Sequence, residues 1–130
     1  MSISLAEKSL FTCRAAVGKK AADLVLLDLR ELSGITDFFL VCTGRSTRQT
    51  RAIAEAIEET LQANGVSPLS SEGYSEGRWI LIDYGDLIVH IFTEETRRFY
   101  DLEHLWARAP RIPSLDGKPI PQDGETLGAC

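Results

Sequence analysis

Cysteine is scarce in this sequence, and its distribution excludes two common architectures of small proteins. The three cysteines, Cys13, Cys42 and Cys130, are odd in number and widely separated. A disulfide framework needs cysteines that can be paired, and a cysteine-based metal site needs closely spaced ones. The sequence therefore predicts reduced thiols, no metal site and a cytoplasmic location.

Long apolar runs and an excess of positive charge are also missing. No apolar run approaches the ~20 residues that a helix needs to span a bilayer, and the first residues lack the basic and apolar regions of a secretory leader. Lys and Arg number 14 against 19 Asp and Glu, which gives a formal net charge of -5. Binding to a phosphate backbone depends mainly on Lys and Arg. We therefore expect no membrane partner, and a basic partner suits the chain better than a nucleic acid.

The length and composition favour one domain. A chain of 130 residues with 44% hydrophobic residues can bury one core but is too short for two ordinary domains. Beyond Ala109 the sequence is rich in Pro and Gly and has few periodic apolar residues. We expect a folded domain over residues 1–109 and a flexible tail without a core of its own over residues 110–130.

Apolar spacing predicts helices and strands within that domain. A first amphipathic helix follows Ser4, which with Glu7 has the spacing of a capping box, and it ends at Gly18. A second helix follows Ser46, with Gln49 in the equivalent position of a second capping box. Each helix has one apolar face, and we expect a sheet to pack against it.

Short apolar runs supply the predicted strands. Residues 24–29 and 37–43 are rich in aliphatic, aromatic and β-branched side chains, as is typical of buried strands. Two short helices are predicted further along, at residues 94–100 and 102–108, and Asp101 caps the second. The chain is thus predicted to be an α/β protein with a mixed sheet flanked by helices.

The segment of residues 78–92 contains two apolar runs joined by Gly85 and Asp86, which predicts a tight β-hairpin. Because side chains alternate along a strand, this register separates two faces. The first face carries Ile80, Ile82, Tyr84, Leu87, Val89 and Ile91, and it belongs under the helices. The second face carries Trp79, Leu81, Asp83, Ile88, His90 and Phe92.

This second face has two interpretations. Trp and Phe at strand spacing are usually core residues, and Asp83 and His90 could be a satisfied polar pair under another layer. Alternatively the face is partly open, since aromatic anchors surrounded by polar groups are typical of protein-binding surfaces and few helices remain to cover it. The second interpretation favours a docking protein.

No pattern in the chain supplies a complete catalytic site. Gly44, Arg45 and Ser46 could present backbone N–H groups to a phosphate, as in a nucleotidyltransferase-like enzyme, and this stays an alternative. Such chemistry needs two carboxylates one residue apart on a strand to hold metal, whereas Asp83 and Asp86 lie on opposite sides of a turn. We therefore predict no enzymatic activity and no cofactor.

Several motifs in order resemble the ribosomal silencing factor family, also called the Iojap-like family. They are SGITDFF, CTG, GRW, DYGD, VH and FYDLE followed by LW, and the likeness extends from the first helix to Trp106. The resemblance implies a nucleotidyltransferase-like fold without its active site. It also implies a homodimer when free and a translational repressor that binds the large ribosomal subunit through its universal fourteenth protein, which blocks joining of the small subunit.

The resemblance also implies a contact surface for that partner, in which aromatic side chains act as anchors and carboxylates meet basic groups. Peripheral contact with ribosomal RNA through Arg45, Arg48 and Arg51 is a further expectation. The candidate partner-binding residues are Trp79, Asp83, Tyr84, Gly85, Asp86, His90, Glu94, Arg97, Arg98, Tyr100 and Asp101.

Overall fold

The computed structural model describes residues 3–32, 34–101, 104 and 107–121, which form three helices and seven strands. In chain order these elements are α1 (Leu5–Gly18), β1 (Ala22–Asp28), β2 (Phe38–Gly44), α2 (Thr47–Ala63), β3 (Ser70–Glu72), β4 (Trp79–Asp83), β5 (Leu87–Thr93), α3 (Glu94–Tyr100), β6 (Ser114–Leu115) and β7 (Lys118–Pro119).

The first five strands form one mixed sheet in the order β1-β2-β5-β4-β3. Strands β2 and β5 are parallel, whereas β1 with β2, β5 with β4 and β4 with β3 are antiparallel. A helix-containing crossover between β2 and β5 is what parallel pairing requires, and α2 lies in it. The predicted α/β class with a mixed sheet flanked by helices is confirmed.

The two long helices begin as the sequence predicts, with one difference. Ser4 and Glu7 form the complete capping box of α1. At α2 the Ser46 side chain accepts from the amide of Gln49, but the Gln49 side chain accepts from the amide of Arg45 and not from that of Ser46. The second predicted capping box is therefore only half formed, because the Gln49 side chain also donates to the carbonyls of Lys19 and Lys20.

The main core lies between α1, α2 and one face of the sheet. The predicted hairpin register is confirmed, with Ile80 opposite Ile91 and Ile82 opposite Val89. All six side chains that the sequence places under the helices are buried in this core. The hairpin turn is also tied to α1, since Lys8 Nζ lies 2.7 Å from Asp86 Oδ1 in a part-buried ion pair.

The opposite face of the sheet has a smaller apolar cluster. Its buried members are Val25, Leu27, Leu29, Val41, Phe92 and Ala109. Phe39 and Trp79 pack against this cluster and stay partly exposed. Helix α3 contacts β2 and β5 at one end of this face. The second face is therefore partly covered, which combines the two interpretations drawn from the sequence.

Residues 110–121 differ from the predicted flexible tail. Asp28 donates its amide to the carbonyl of Pro110 (2.9 Å), and the amide of Ile112 donates to Leu26 (2.9 Å), so this segment lies along the outer edge of β1. Ile120 is buried in the main core, on the helix side of the sheet. Strands β6 and β7 form the small hairpin that precedes it. Residues 122–130 of the predicted tail lie outside the described part.

Asp101 ends α3 in the left-handed conformation (φ 49°). The sequence assigns it to the start of a further helix at residues 102–108. Residues 102, 103, 105 and 106 of that predicted helix are outside the described part of the chain.

Candidate docking surface

Trp79 lies at the start of β4 and is half-buried on the second face of the sheet. Its ring centroid is 4.9 Å from that of Phe92 and 5.3 Å from that of Tyr100, and its Nε1 donates to Nδ1 of His90 (3.1 Å). A buried indole N–H needs an acceptor, and here the sheet supplies one. The Trp79 ring is thus held in a fixed orientation with one part exposed.

Two exposed aromatic side chains of α3 extend this surface. Phe99 is 80% exposed and Tyr100 is 50% exposed, with their rings 5.0 Å apart in an edge-to-face arrangement. We call Trp79, Phe99 and Tyr100 the aromatic platform. Phe99 is not among the contact residues predicted from the sequence, although a Phe that follows two arginines in a short charged helix is itself a signal of exposure.

An open groove of about 740 Å³ lies between the aromatic platform and the loop that joins β3 to β4. Charged groups lie at its rim: Arg78 is paired with Glu76 at 3.1 Å, and Glu95 is unpaired among the described residues. The lining residues are Ser71, Gly73, Tyr74, Ser75, Glu76, Arg78, Trp79, Glu95, Thr96, Phe99 and Tyr100. The groove therefore offers aromatic faces beside carboxylates, which suits a partner segment with basic side chains.

Helix α2 fixes the loop on the far side of the groove. Arg51 donates from Nε to the carbonyl of Tyr74 (2.9 Å) and from Nη2 to the carbonyl of Ser75 (2.7 Å). The hydroxyl of Thr50 donates to the carbonyl of Gly77. Arg51, one of the three arginines expected from the sequence to touch ribosomal RNA, is thus engaged within the fold.

His90 lies beneath the platform and is only 4% exposed. Desolvation by burial lowers its pKa from 6.5 to about 4, and its Nδ1 accepts from Trp79, which requires that nitrogen to be unprotonated. Asp83 accepts from the amide of Gly85 (2.8 Å). The sequence offered an Asp83–His90 pair as one interpretation of this face; the structure shows a hydrogen bond to each residue from a different donor, and His90 supports Trp79.

The stability of the fold should depend on pH through His90. His90 takes up a proton near pH 6.5 in the unfolded chain but only near pH 4 in the folded chain. The free energy of unfolding therefore has its full value above about pH 6.5 and decreases as the pH falls to about 4. A loss on the order of 2–3 kcal/mol is expected. Chemical denaturation between pH 4 and 7 measures it. His90→Gln keeps an acceptor for Trp79 but does not titrate, so an unchanged pH slope in that variant contradicts this role.

The candidate residues around the hairpin turn have roles within the fold. Gly85 has φ 90°, a conformation that glycine adopts without strain. Tyr84 is buried and Asp86 is paired with Lys8. The turn lies at the opposite end of β4 from Trp79, a separation of ~13 Å along the strand. The predicted contact residues therefore divide into a turn group and a platform group.

The two arginines of helix α3 lie in different environments. Arg97 is buried, and its Nη1 donates to the carbonyl of Asp23 (2.9 Å) and to Oγ1 of Thr43 (2.7 Å). Arg98 is exposed and lies 3.7 Å from Glu94 one turn earlier. Arg97, predicted to be a contact residue, instead fastens α3 to the ends of β1 and β2, because its side chain points toward the sheet.

Comparison with known proteins identifies the family. The family model described as ribosomal silencing factor during starvation matches residues 3–127. The chain belongs to the ribosomal silencing factor family. It is 41% identical over 112 residues to a ribosomal silencing factor of Bacillus subtilis, with 85% of this chain and 94% of the relative covered. A crystal structure of a Chromobacterium violaceum protein matches with a TM-score of 0.78 and 29% identity, covering 95% of this chain and 98% of that one.

Three further observations concern the chemically relevant groups in the described residues of this member of the ribosomal silencing factor family. They contain no group of three or more His, Cys, Asp or Glu that could hold a metal ion, and none of their helices is long and apolar enough to cross a membrane. Burial raises the pKa of the Cys42 thiol to about 12 and that of Cys13 further, so both are protonated at neutral pH. A methyl group added at Gly44 would meet Thr50 at 2.8 Å, so the segment considered as an alternative phosphate-binding loop is closely packed against α2.

Proposed function

We propose that this protein represses translation by docking onto the large ribosomal subunit, where it blocks joining of the small subunit. Its partner there is the universal fourteenth protein of the large subunit, and the aromatic platform is the contact surface. The main support is the exposure of Phe99 and Tyr100 beside the half-buried Trp79. The name of the family, which refers to silencing of ribosomes during starvation, supports the same role.

The platform has the physical properties of a binding hot spot. Large aromatic side chains contribute most when they enter a pocket of the partner and lose contact with water. An exposed Phe gains most from such burial, about 1.5–3 kcal/mol. The sheet holds Trp79 in place through His90 and Phe92 before any partner arrives, so little conformational entropy is lost on binding.

The charge around the platform suits a basic ribosomal protein. Glu94, Glu95 and Asp101 are exposed on or next to α3. Arg98 of the same helix pairs with Glu94 at 3.7 Å in an exposed position, where such pairs contribute little. A basic partner can therefore engage these carboxylates without first breaking a strong interaction, and steric blocking requires no turnover.

Co-sedimentation with purified large subunits at physiological salt tests this function. The double variant Phe99→Ala/Tyr100→Ala should bind at least about 100-fold more weakly, because it removes two anchors of a hot spot. Both side chains are exposed, so the fold should persist. Leu69→Ala, which removes a 75% exposed apolar side chain near the hairpin turn, is the matched control. The control should bind within a few-fold of the wild type.

The wild type, the double variant and the Leu69→Ala control also test the named partner and the blocking of subunit joining separately. Binding to the isolated fourteenth protein should show the same loss in the double variant, and light scattering should show that only proteins that bind prevent the subunits from joining. If the wild-type protein co-sediments with the subunit but does not bind the isolated fourteenth protein, the named partner is wrong. A double variant that binds like Leu69→Ala contradicts the aromatic platform.

A homodimer in the free state and a cytoplasmic location are part of the same proposal. The platform provides an apolar surface that a second copy could cover, and β3 is an outer strand of the sheet with exposed residues. If dimer and ribosome use the same face, raising the protein concentration should weaken apparent binding to the subunit by mass action.

A further inference from the structure

Four basic residues converge where the end of α1 meets the start of α2. Gln49 brings them together, because its Nε2 donates to the carbonyls of Lys19 (3.0 Å) and Lys20 (3.2 Å) and its Oε1 accepts from the amide of Arg45 (2.6 Å). Arg48 precedes Gln49 in the first turn of α2. We call Lys19, Lys20, Arg45 and Arg48 the basic corner.

The basic corner differs in charge from the rest of the molecule. All four side chains are exposed, and none forms an ion pair with any residue that the structure describes. Four other cations have acidic partners: Lys8 with Asp86, Arg30 with Asp28, Arg78 with Glu76, and Arg98 with Glu94. A concentration of unpaired positive charge therefore stands out on a protein whose net charge is -5.

Several features of the corner suit a phosphate backbone. Arginine can bind a phosphate through two parallel hydrogen bonds, and lysine adds a mobile point charge. Gln49 fixes the main chain of both segments, so several cations can act together. Arg51 does not belong to this set, because its guanidinium is occupied by the carbonyls of Tyr74 and Ser75.

We propose that the basic corner contacts the phosphate backbone of ribosomal RNA in the large subunit, beside the protein contact made by the aromatic platform. This inference rests on the proposed docking function, since a subunit surface presents RNA phosphates around its proteins. The two contacts have different roles in binding: the platform selects the protein partner, and the corner adds affinity that depends on salt. Because the protein is acidic overall, its contact with RNA alone should be weak at physiological salt and measurable only at low salt, so stable binding to the subunit also requires the platform.

Salt dependence of binding to large subunits tests the corner. Replacement of all four cations by Gln is compared with a control that removes the same number of exposed positive charges elsewhere. The test variant carries Lys19→Gln, Lys20→Gln, Arg45→Gln and Arg48→Gln. The control carries Arg30→Gln, Arg108→Gln, Arg111→Gln and Lys118→Gln. Each phosphate contact contributes about 0.7–0.9 to the slope of log K against log salt, so the test variant should lower that slope by about 3 if all four contact phosphate.

Two further measurements keep this inference separate from the docking function. Binding to the isolated fourteenth protein should be the same for the test variant and the control, because that protein carries no RNA. Binding to deproteinised large-subunit RNA at low salt should be weaker for the test variant than for the control. A test variant with the slope and RNA affinity of the control overturns the inference. Wild-type protein that does not bind the subunit at all overturns the docking function, and the RNA titration still decides on the corner.

Discussion

Gly73→Ala is expected to lower the free energy of unfolding by about 3–5 kcal/mol and to weaken binding to the large subunit. Gly73 has φ +85°, and a Cβ atom there would lie 2.0 Å from the carbonyl oxygen of Trp79. That oxygen belongs to the backbone of β4, so relief of the clash has to move the strand that carries Trp79. The groove wall and the aromatic platform should shift together.

A matched glycine separates the clash from backbone strain. Gly117 has φ +76°, yet a Cβ there meets no atom within 4 Å. Gly117→Ala should therefore show only the strain of the left-handed conformation, about 1–2 kcal/mol. Urea denaturation of both variants gives the two free energies of unfolding, and near-ultraviolet circular dichroism reports the packing of the aromatic side chains, Trp79 among them. Equal losses in the two variants contradict a close contact between Gly73 and β4.

Arg97→Met should cost about 3–5 kcal/mol of folding stability. The substitution removes two hydrogen bonds from a buried guanidinium, to Asp23 O and Thr43 Oγ1, and each bond to a charged group contributes about 1.5–3 kcal/mol. The methionine keeps much of the apolar volume. Because α3 carries Phe99 and Tyr100, its detachment should also weaken binding to the subunit, although Arg97 itself is buried.

Arg98→Met is the control in the same helix. Arg98 is exposed and its contact with Glu94 spans 3.7 Å, so its removal should change stability by less than about 0.5 kcal/mol. Thermal unfolding of the two variants gives the comparison. A loss in Arg98→Met as large as that in Arg97→Met would show that the charge of the helix matters and that the buried hydrogen bonds do not.

The sequence predicts the elements whose signals are local. The capping box of Ser4 and Glu7, the hairpin register around Gly85 and Asp86, and the burial of one hairpin face follow from spacing within a few residues. The structure confirms all three. The intermediate burial of Trp79 also agrees with a second sheet face that few helices remain to cover.

Features that depend on distant contacts could not be predicted in this way. The burial of Arg97 requires knowing that Thr43 and Asp23 lie beside α3, and both are more than 50 residues away in sequence. The path of residues 110–121 depends on the free edge of β1, so its Pro- and Gly-rich composition alone suggested a flexible tail. The basic corner exists because Gln49 joins two separate segments, whereas in sequence its four residues form two dispersed pairs.

The pairing of residues 110–112 with β1 has a consequence for how the chain folds as it is made. Strand β1 pairs with β2 on one side, but on its outer side the amide of Asp28 and the carbonyl of Leu26 meet their partners only in a segment synthesised more than 80 residues later. Until then β1 is an open edge, and such edges readily pair with other chains. Newly made copies on neighbouring ribosomes therefore expose an edge that can aggregate until this late segment emerges and covers it.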